Sequence, residues 1–302
     1  MTNETRTGDN LDGILLMLAA MALFGVEDMF IKFAAATLPV GQIVFVSGAF
    51  GLPVFVILAR WQGKRVLTPA LWSRPVLLRN LGEMVGSLGY VMAIASVPLA
   101  TVSAVLQAMP LAVTLGAVIF LQESVGWRRW CAIAVGFAGV LIVIRPGTAG
   151  FQPQALWVLL TVAGLALRDL ASRAIPAEFS DAQVSAWGMA AVTLLGALMM
   201  AVQGAEKVPD RSQVLFLLGA VAFGTGGYWA ITAATRTGEV SVVAPFRYAR
   251  LVFAILIAMA FFNEYPDAFT LIGAGLIIAS GLYAFARERL RKRGLSLQRA
   301  PS

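Results

Sequence analysis

Nine ionisable side chains interrupt otherwise apolar stretches of this sequence: the acids Glu27, Asp28, Glu83 and Asp169, and the bases Lys32, Arg79, Arg168, Arg247 and Arg250. The chemistry open to them is charge pairing, proton exchange and the gripping of a polar solute. The chain has no histidine, so a proton relay would have to run through carboxylates. Its single cysteine, Cys131, lies in an apolar stretch, which gives neither a disulfide framework nor a thiolate metal site. There is no GxxxxGK[ST] phosphate loop, no cysteine cluster and no GxSxG elbow, so direct ATP drive and most hydrolase and metalloenzyme chemistry are excluded. No catalytic residue, cofactor or metal is expected, and the rivals that remain to a carrier are a membrane enzyme using carboxylates alone and a channel.

These residues must be positioned by a repeated scaffold. Shifting the chain by 141 residues brings Asp28 onto Asp169, Lys32 onto Arg173, Gln42 onto Gln183 and Glu123 onto Glu264. One unit is thus written twice, 1–150 and 151–302, and weak similarity between two hydrophobic halves marks secondary transporters with a site at the repeat interface. Asp28 and Lys32 are four residues apart, as are Arg79 and Glu83, and Asp169 and Arg173, a spacing that suits pairs one helical turn apart. The matched residues Asp28, Lys32, Asp169 and Arg173 are candidates for coupling or gating, with scaffold pairing as the alternative.

The 302 residues are 59% hydrophobic and only 13% charged, against about 25% charged in a soluble domain. Apolar runs long enough to cross a bilayer lie near 13–36, 40–59, 76–96, 99–121, 127–144, 155–174, 182–202, 212–234, 240–262 and 268–286. They lack the strict alternation of barrel strands, and backbone polar groups cannot stay unpaired in lipid, so an all-α membrane protein of ten helices is expected. If the N-terminus is cytoplasmic, fifteen Lys and Arg residues lie inside (Arg6 and the Arg287 to Arg293 run among them) against Arg145, Lys207 and Arg211 outside. Both termini should therefore face the cytoplasm of a bacterial-type cell with the chain in its inner membrane. A five-helix repeat crosses an odd number of times, so the repeats are inverted, the geometric basis of alternating access. No cleavable signal peptide is expected, because the first run contains Glu27 and Asp28 and exceeds a signal length. The net charge of +7 is read as anchoring at anionic headgroups rather than nucleic-acid binding.

The stretch Ser103 to Glu123 (SAVLQAMPLAVTLGAVIFLQE), with Arg129-Trp130 and Gly136-Phe137-Ala138-Gly139, resembles the close of a first repeat in the EamA-type branch of the drug/metabolite transporter superfamily. The second copy is more similar still, from Val243-Ala244-Pro245-Phe246-Arg247-Tyr248 through Phe261-Phe262-Asn263-Glu264 to Gly273, Gly275 and Gly281. The resemblance implies ten helices with both termini inside and a central cavity lined mainly by the first, third, fourth, sixth, eighth and ninth. It also implies a carrier, the branch being similar to carriers of amino acids and to uptake carriers of riboflavin and S-adenosylmethionine. An exporter of amino acids or amphipathic drugs is the alternative. Many relatives carry an arginine near the start of the second helix where this chain has Val46-Ser47-Gly48, so no role for that arginine transfers.

Residues that the repeat does not match are the best pointers to cargo. Glu83 meets Gly224 under the shift, Gln107 meets Tyr248, and Leu106 meets Arg247. Glu83, Tyr90, Gln107, Tyr228, Trp229, Arg247 and Tyr248 are therefore the candidate substrate-binding residues, a mixture suited to a polar, partly planar solute. Glu83 is either neutralised by Arg79 or left to receive a proton or a cationic part of the cargo, and the second role is favoured. Glu123 and Glu264 should cap and pair with the turns that follow them, and Pro110 and Pro245 should bend their helices. Gly82-x3-Gly86 and Ala220-x3-Gly224 permit close helix approach. The expected partners are a small-molecule substrate and the lipid bilayer, with no nucleic acid; a homodimer stays open.

Overall fold

A computed structural model describes the backbone of residues 3–123, 125–203 and 208–298, with side chains over 9–123, 125–202, 208–239 and 242–287. Arg6, Lys207 and the basic side chains after Arg287 lie outside them. The chain runs through α1 (Asn3–Ala35), α2 (Val40–Trp61), α3 (Arg74–Ser96), α4 (Leu99–Leu106), α5 (Met109–Leu121) and α6 (Trp127–Ile144). It continues through α7 (Leu156–Ser172), α8 (Asp181–Gln203), α9 (Arg211–Thr237), α10 (Val240–Val243), α11 (Ala249–Phe262) and α12 (Ala268–Gln298). Among the described residues nine spans are long and apolar enough to cross a membrane. The tenth, α3, has 23 residues and holds Arg79 and Glu83 buried, each at 7% exposure. The chain is a multi-pass α-helical membrane protein.

The repeats interlock. α1 packs along α9, and its repeat counterpart α7 packs along α3; α2 pairs with α8, and α6 with α12. Every one of these long contacts joins one half to the other, so a pseudo-two-fold axis runs between α2 and α8, between α6 and α12, and between the fourth and ninth spans. Small residues set the closest approach. A methyl group on Gly164 of α7 would sit 2.8 Å from the Gly86 Cα and 2.9 Å from the Gly82 carbonyl oxygen of α3, so these backbones touch without side chains between them.

The fourth and ninth spans are not the continuous bent helices expected; each is broken near its middle. The fourth stops at Leu106, turns through Gln107 and Ala108, and restarts with Pro110 in the first turn of α5. The ninth passes from α10 through a 3₁₀ turn, Ala244–Tyr248, that holds Pro245. Proline lacks the donor an α-helix needs and is tolerated in a first turn, so each break falls beside a proline. Both spans then end alike. Gln122 and Asn263 take left-handed backbone (φ 53° and 57°), and the amides of Glu123 and Glu264 reach back to the carbonyls of Ala117 and Ala258 at 3.2 and 3.1 Å. This closing motif, repeated at a 141-residue interval, fixes where the two glutamates leave their helices.

With an even number of spans, both termini lie at one end, called here the terminal end. At the far end one apolar core runs through all ten spans, from Ile31 and Ile43 through Val91, Val105, Val140 and Val158 to Val192, Leu217, Ala254 and Ile277. At the terminal end the buried apolar residues form two separate clusters. One joins α1, α9 and α10 (Met17, Met21, Ala230, Val243), the other α5, α6 and α12 (Leu111, Ile133, Ala284). Likewise α4 packs on α11 at the far end, whereas among the described residues their counterparts α10 and α5 show no comparable packing. The molecule is closed at the far end and divided at the terminal end.

Candidate functional site

The two breaks meet on the axis. Gln107, 8% exposed, donates from Nε2 to the carbonyl oxygen of Tyr248 at 3.3 Å, joining two residues that occupy the same position in the two repeats. A helix broken within the membrane frees backbone groups for such contacts and is where secondary transporters place substrate sites.

On one side of the axis, Glu83 is held between two guanidiniums. Its carboxylate lies 2.9 Å from Arg79 one turn away on α3 and 3.3 Å from Arg168 of α7, which also pairs with its neighbour Asp169 at 2.8 Å. The guanidinium of Arg79 rests on Gly188 of α8, where any side chain would displace it. The structure places Glu83 in ion pairs with Arg79, as the four-residue spacing allowed, and with Arg168, a second partner that the spacing did not reveal. Tyr228 stands nearby with its hydroxyl 3.0 Å from that of Ser185 and its ring edge-on to Phe55 at 4.7 Å.

On the other side, Asp28 (2% exposed) accepts from Arg250 of α11 through both carboxylate oxygens, at 2.9 and 3.1 Å, and from the hydroxyl of Tyr90 on α3. Arg250 also donates to the Tyr90 oxygen at 2.5 Å and lies over the rings of Phe24 (5.2 Å) and Tyr90 (5.7 Å), attractions that suit a desolvated guanidinium. Tyr90 is thus a partner of Asp28 rather than a neighbour of Glu83 in one shared pocket.

The i,i+4 pairing expected for Asp28 with Lys32 and for Asp169 with Arg173 does not form. Lys32 instead pairs with Glu264 at 2.5 Å and donates to the Val97 carbonyl at 3.1 Å, while the other oxygen of Glu264 accepts from the Leu99 amide at 2.9 Å. Arg173 pairs with Glu123 at 3.0 Å. The reason is directional: the closing turns of α5 and α11 aim the glutamates across at α7 and α1, while Asp28 and Asp169 find arginines at their own level. Glu264 therefore caps a different helix, α4, rather than the turn that follows it. The far-end pair is enclosed (15% and 23% side-chain exposure) and the terminal-end pair is half open (49% and 48%).

Two further candidates separate. Arg247, in the 3₁₀ turn, is exposed at the level of the break, has no hydrogen-bond or ion-pair partner among the described residues, and acts electrostatically on Asp169 and Arg168 across from it. Tyr248 packs its hydroxyl on Gly281 of α12. Trp229 does not join the site: it is 67% exposed on the stripe of α9 that carries Leu215 and Leu218, the lipid-facing side, because the step from Tyr228 to Trp229 turns about 100° around the helix. Sequence reasoning missed Ser185 and the role of Arg250; no local signal points to either, since both partners come from distant helices. A cavity of about 140 Å³ lies away from the breaks, at the far end, between Pro98, Thr101, Arg145, Gln152, Glu264 and Asp267.

Sequence comparison extends the geometry to known proteins. The chain is similar to the S-adenosylmethionine uptake transporter of Rickettsia prowazekii (strain Madrid E), 27% identical over 92% of this chain and 94% of the relative. It is similar to the riboflavin transporter of Vibrio cholerae serotype O1, 25% identical over 94% and 96% of the two chains. The pseudopaline exporter CntI of Pseudomonas aeruginosa (strain PAO1) is 28% identical over 89% of this chain and 94% of that one. A solved crystal structure shares the fold with a TM-score of 0.58 at 20% identity, covering 92% of this chain and 98% of the other. The EamA-like transporter family matches residues 11–145 and 152–285, two stretches that begin 141 residues apart as the internal repeat does. A broken-helix site on an inverted-repeat axis and this match over both halves agree: the chain belongs to the EamA-like transporter family, and it is a membrane transporter of small molecules, not an enzyme.

Proposed function

We propose that this transporter carries a polar, partly planar organic solute by alternating access, with uptake of a compound of the S-adenosylmethionine or riboflavin kind as the leading reading. The observation that carries it is a core continuous at one end and split at the other, around two breaks whose linings differ. Arg247 offers an unpaired guanidinium where the other repeat has Leu106, and Tyr248 and Tyr228 add aromatic surface with polar tips. S-adenosylmethionine has a carboxylate for such a guanidinium and a flat adenine for such rings; riboflavin has the flat ring alone. The similarity to the pseudopaline exporter supports the second reading, export, of amino acids or amphipathic drugs, through the same site.

A ligand bound only by the folded protein at 100 times its Kd stabilises it by about 2.7 kcal/mol. Thermal unfolding with S-adenosylmethionine, riboflavin and a panel of amino acids is expected to select S-adenosylmethionine. Arg247→Gln, which loses a hydrogen bond to a charged group worth about 1.5–3 kcal/mol, is expected to weaken that binding about 10- to 100-fold. Stabilisation by amino acids with none by S-adenosylmethionine or riboflavin would transfer the reading to the exporter, and unchanged affinity in Arg247→Gln would remove the arginine from the site.

In this reading both termini are cytoplasmic, the molecule is open inward, and the two ion pairs are alternate locks. Lys32 and Glu264 grip the Val97 to Leu99 turn now; Arg173 and Glu123 grip its repeat counterpart, Gly238 to Val240, when the molecule opens outward. With Cys131 replaced by Ser, a cysteine at Gln152 should react with an impermeant maleimide from outside in every variant. One at Ala104, fully buried in the far-end core, should react from outside only when Glu264→Ala is also present. Reaction of Gln152→Cys from the cytoplasm alone would reverse the orientation, and an unreactive Ala104→Cys in the Glu264→Ala protein would remove the lock.

A further inference from the structure

Of the four acids set among apolar residues within the spans, Glu27, Asp28, Glu83 and Asp169, three have an arginine partner among the described residues: Asp28 has Arg250, Glu83 has Arg79 and Arg168, and Asp169 has Arg168. Glu27 has no ion pair and no hydrogen bond among the described residues. It lies on α1 facing α9, where its carboxylate rests directly on Gly224; a side chain at that glycine would collide with it. The internal repeat explains the arrangement. Position 27 corresponds to Arg168 and position 224 to Glu83, so the contact that is an ion pair in one half of the molecule is a lone carboxylate on a glycine in the other. An ionisable side chain has been kept with its sign reversed, and its partner is missing. Glu27 is half-buried, unlike its sealed neighbour Asp28, so it is open to exchange.

We infer that Glu27 is a proton-exchange site of this carrier, taking up a proton where its counterpart Arg168 has a carboxylate. The groups facing it fit this ligand. Asp28 is the next residue on its own helix, and Arg250 of α11 is close enough to act electrostatically on Glu27, but the hydrogen bonds of Arg250 go to Asp28 and to Tyr90 of α3. α9 presents Gly224 and Thr225, whose hydroxyl donates to the Val221 carbonyl, and no charge at this level. α2 and α10 bring no charged side chain there, and the unpaired Arg247 of the 3₁₀ turn feels Asp169 and Arg168 rather than Glu27. The negative charge of Asp28 beside it and the scarcity of water both disfavour a second carboxylate anion at this depth. A bare carboxylate against a glycine backbone gives a metal ion too few oxygen ligands, whereas a proton needs one. Coupling of this proton to cargo rests on the alternating-access reading above; the site itself does not.

The test uses the full chain in detergent and the hydrophobic carbodiimide dicyclohexylcarbodiimide, which reacts with protonated carboxyls in apolar surroundings, with adducts located by mass spectrometry over a pH series. An adduct is expected at Glu27, declining as pH rises. Asp28 and Glu83 are expected to react at least about tenfold less, because a cation in direct contact, which Glu27 lacks, lowers the protonated fraction of a carboxyl by that factor or more. In parallel, infrared difference spectra between acid and alkaline samples should contain a carboxyl carbonyl band that is absent from Glu27→Gln, a substitution that keeps the shape resting on Gly224. No adduct at Glu27 at any pH, or equal adducts on Asp28 and Glu83, would overturn the site. These readouts need no cargo, so an incorrect substrate assignment leaves the result intact.

Discussion

Glu83→Gln is expected to lower the stability of the folded protein by about 3–5 kcal/mol, the usual cost of removing one member of a buried ion pair and stranding the other. Arg79 is only 7% exposed, its guanidinium lies on Gly188, and Glu83 is its ion-pair partner at 2.9 Å. Arg168 retains Asp169, so the damage falls on Arg79. Denaturant unfolding of the purified protein, with the yield of inserted protein, measures the effect. The double change Glu83→Gln with Arg79→Met should cost less than the sum of the two singles, since residues in one ion-pair network are coupled. A Glu83→Gln protein as stable as wild type but with a shifted pH profile of transport would instead make Glu83 the titrating group.

A comparable loss, again about 3–5 kcal/mol, is expected from Arg250→Met, which leaves the carboxylate of Asp28 sealed at 2% exposure with only the Tyr90 hydroxyl to answer it. Arg250→Lys should recover only part of this. An ammonium is a point charge and cannot reach both carboxylate oxygens and the Tyr90 oxygen while lying flat over Phe24. Adding Asp28→Asn to Arg250→Met should restore most of the stability by removing the stranded charge. Lys32→Met, in contrast, should leave the Asp28 cluster unaffected, because Lys32 is spent on Glu264 and Val97 at the far end. Equal destabilisation of Arg250→Met and Lys32→Met, with no rescue in the double mutant, would mean that Asp28 pairs within its own helix after all.

The contrast between those lysine and arginine variants separates what was legible in the residues from what was not. Hydropathy gave ten spans because lipid demands about twenty apolar residues per crossing and leaves the chain few alternatives. The self-alignment located the repeat, and the positions it singled out as unmatched, Gln107 with Tyr248 and Leu106 with Arg247, do sit at the two span breaks. The breaks themselves were half visible: a proline announces a bend, but whether the helix bends or stops depends on whether neighbouring groups satisfy the freed backbone, here Gln107 answering the Tyr248 carbonyl.

By itself the sequence determined the class of molecule, the inverted duplication and the list of residues too polar for lipid, since each follows from composition and from spacing along one chain. Only the tertiary structure decided which acid meets which base. A buried charge requires a partner but does not choose it, and four-residue spacing offered Lys32 to Asp28 as readily as the fold offered Arg250, 222 residues away. The choice was made by interlocked packing that sets α1 against α9 and α11, and by two left-handed turns that send Glu123 and Glu264 across to the opposite repeat. The same packing removed Trp229 from the site while keeping Tyr228, because one residue along a helix is a change of face, and which face looks inward is fixed by its neighbours and not by its own sequence.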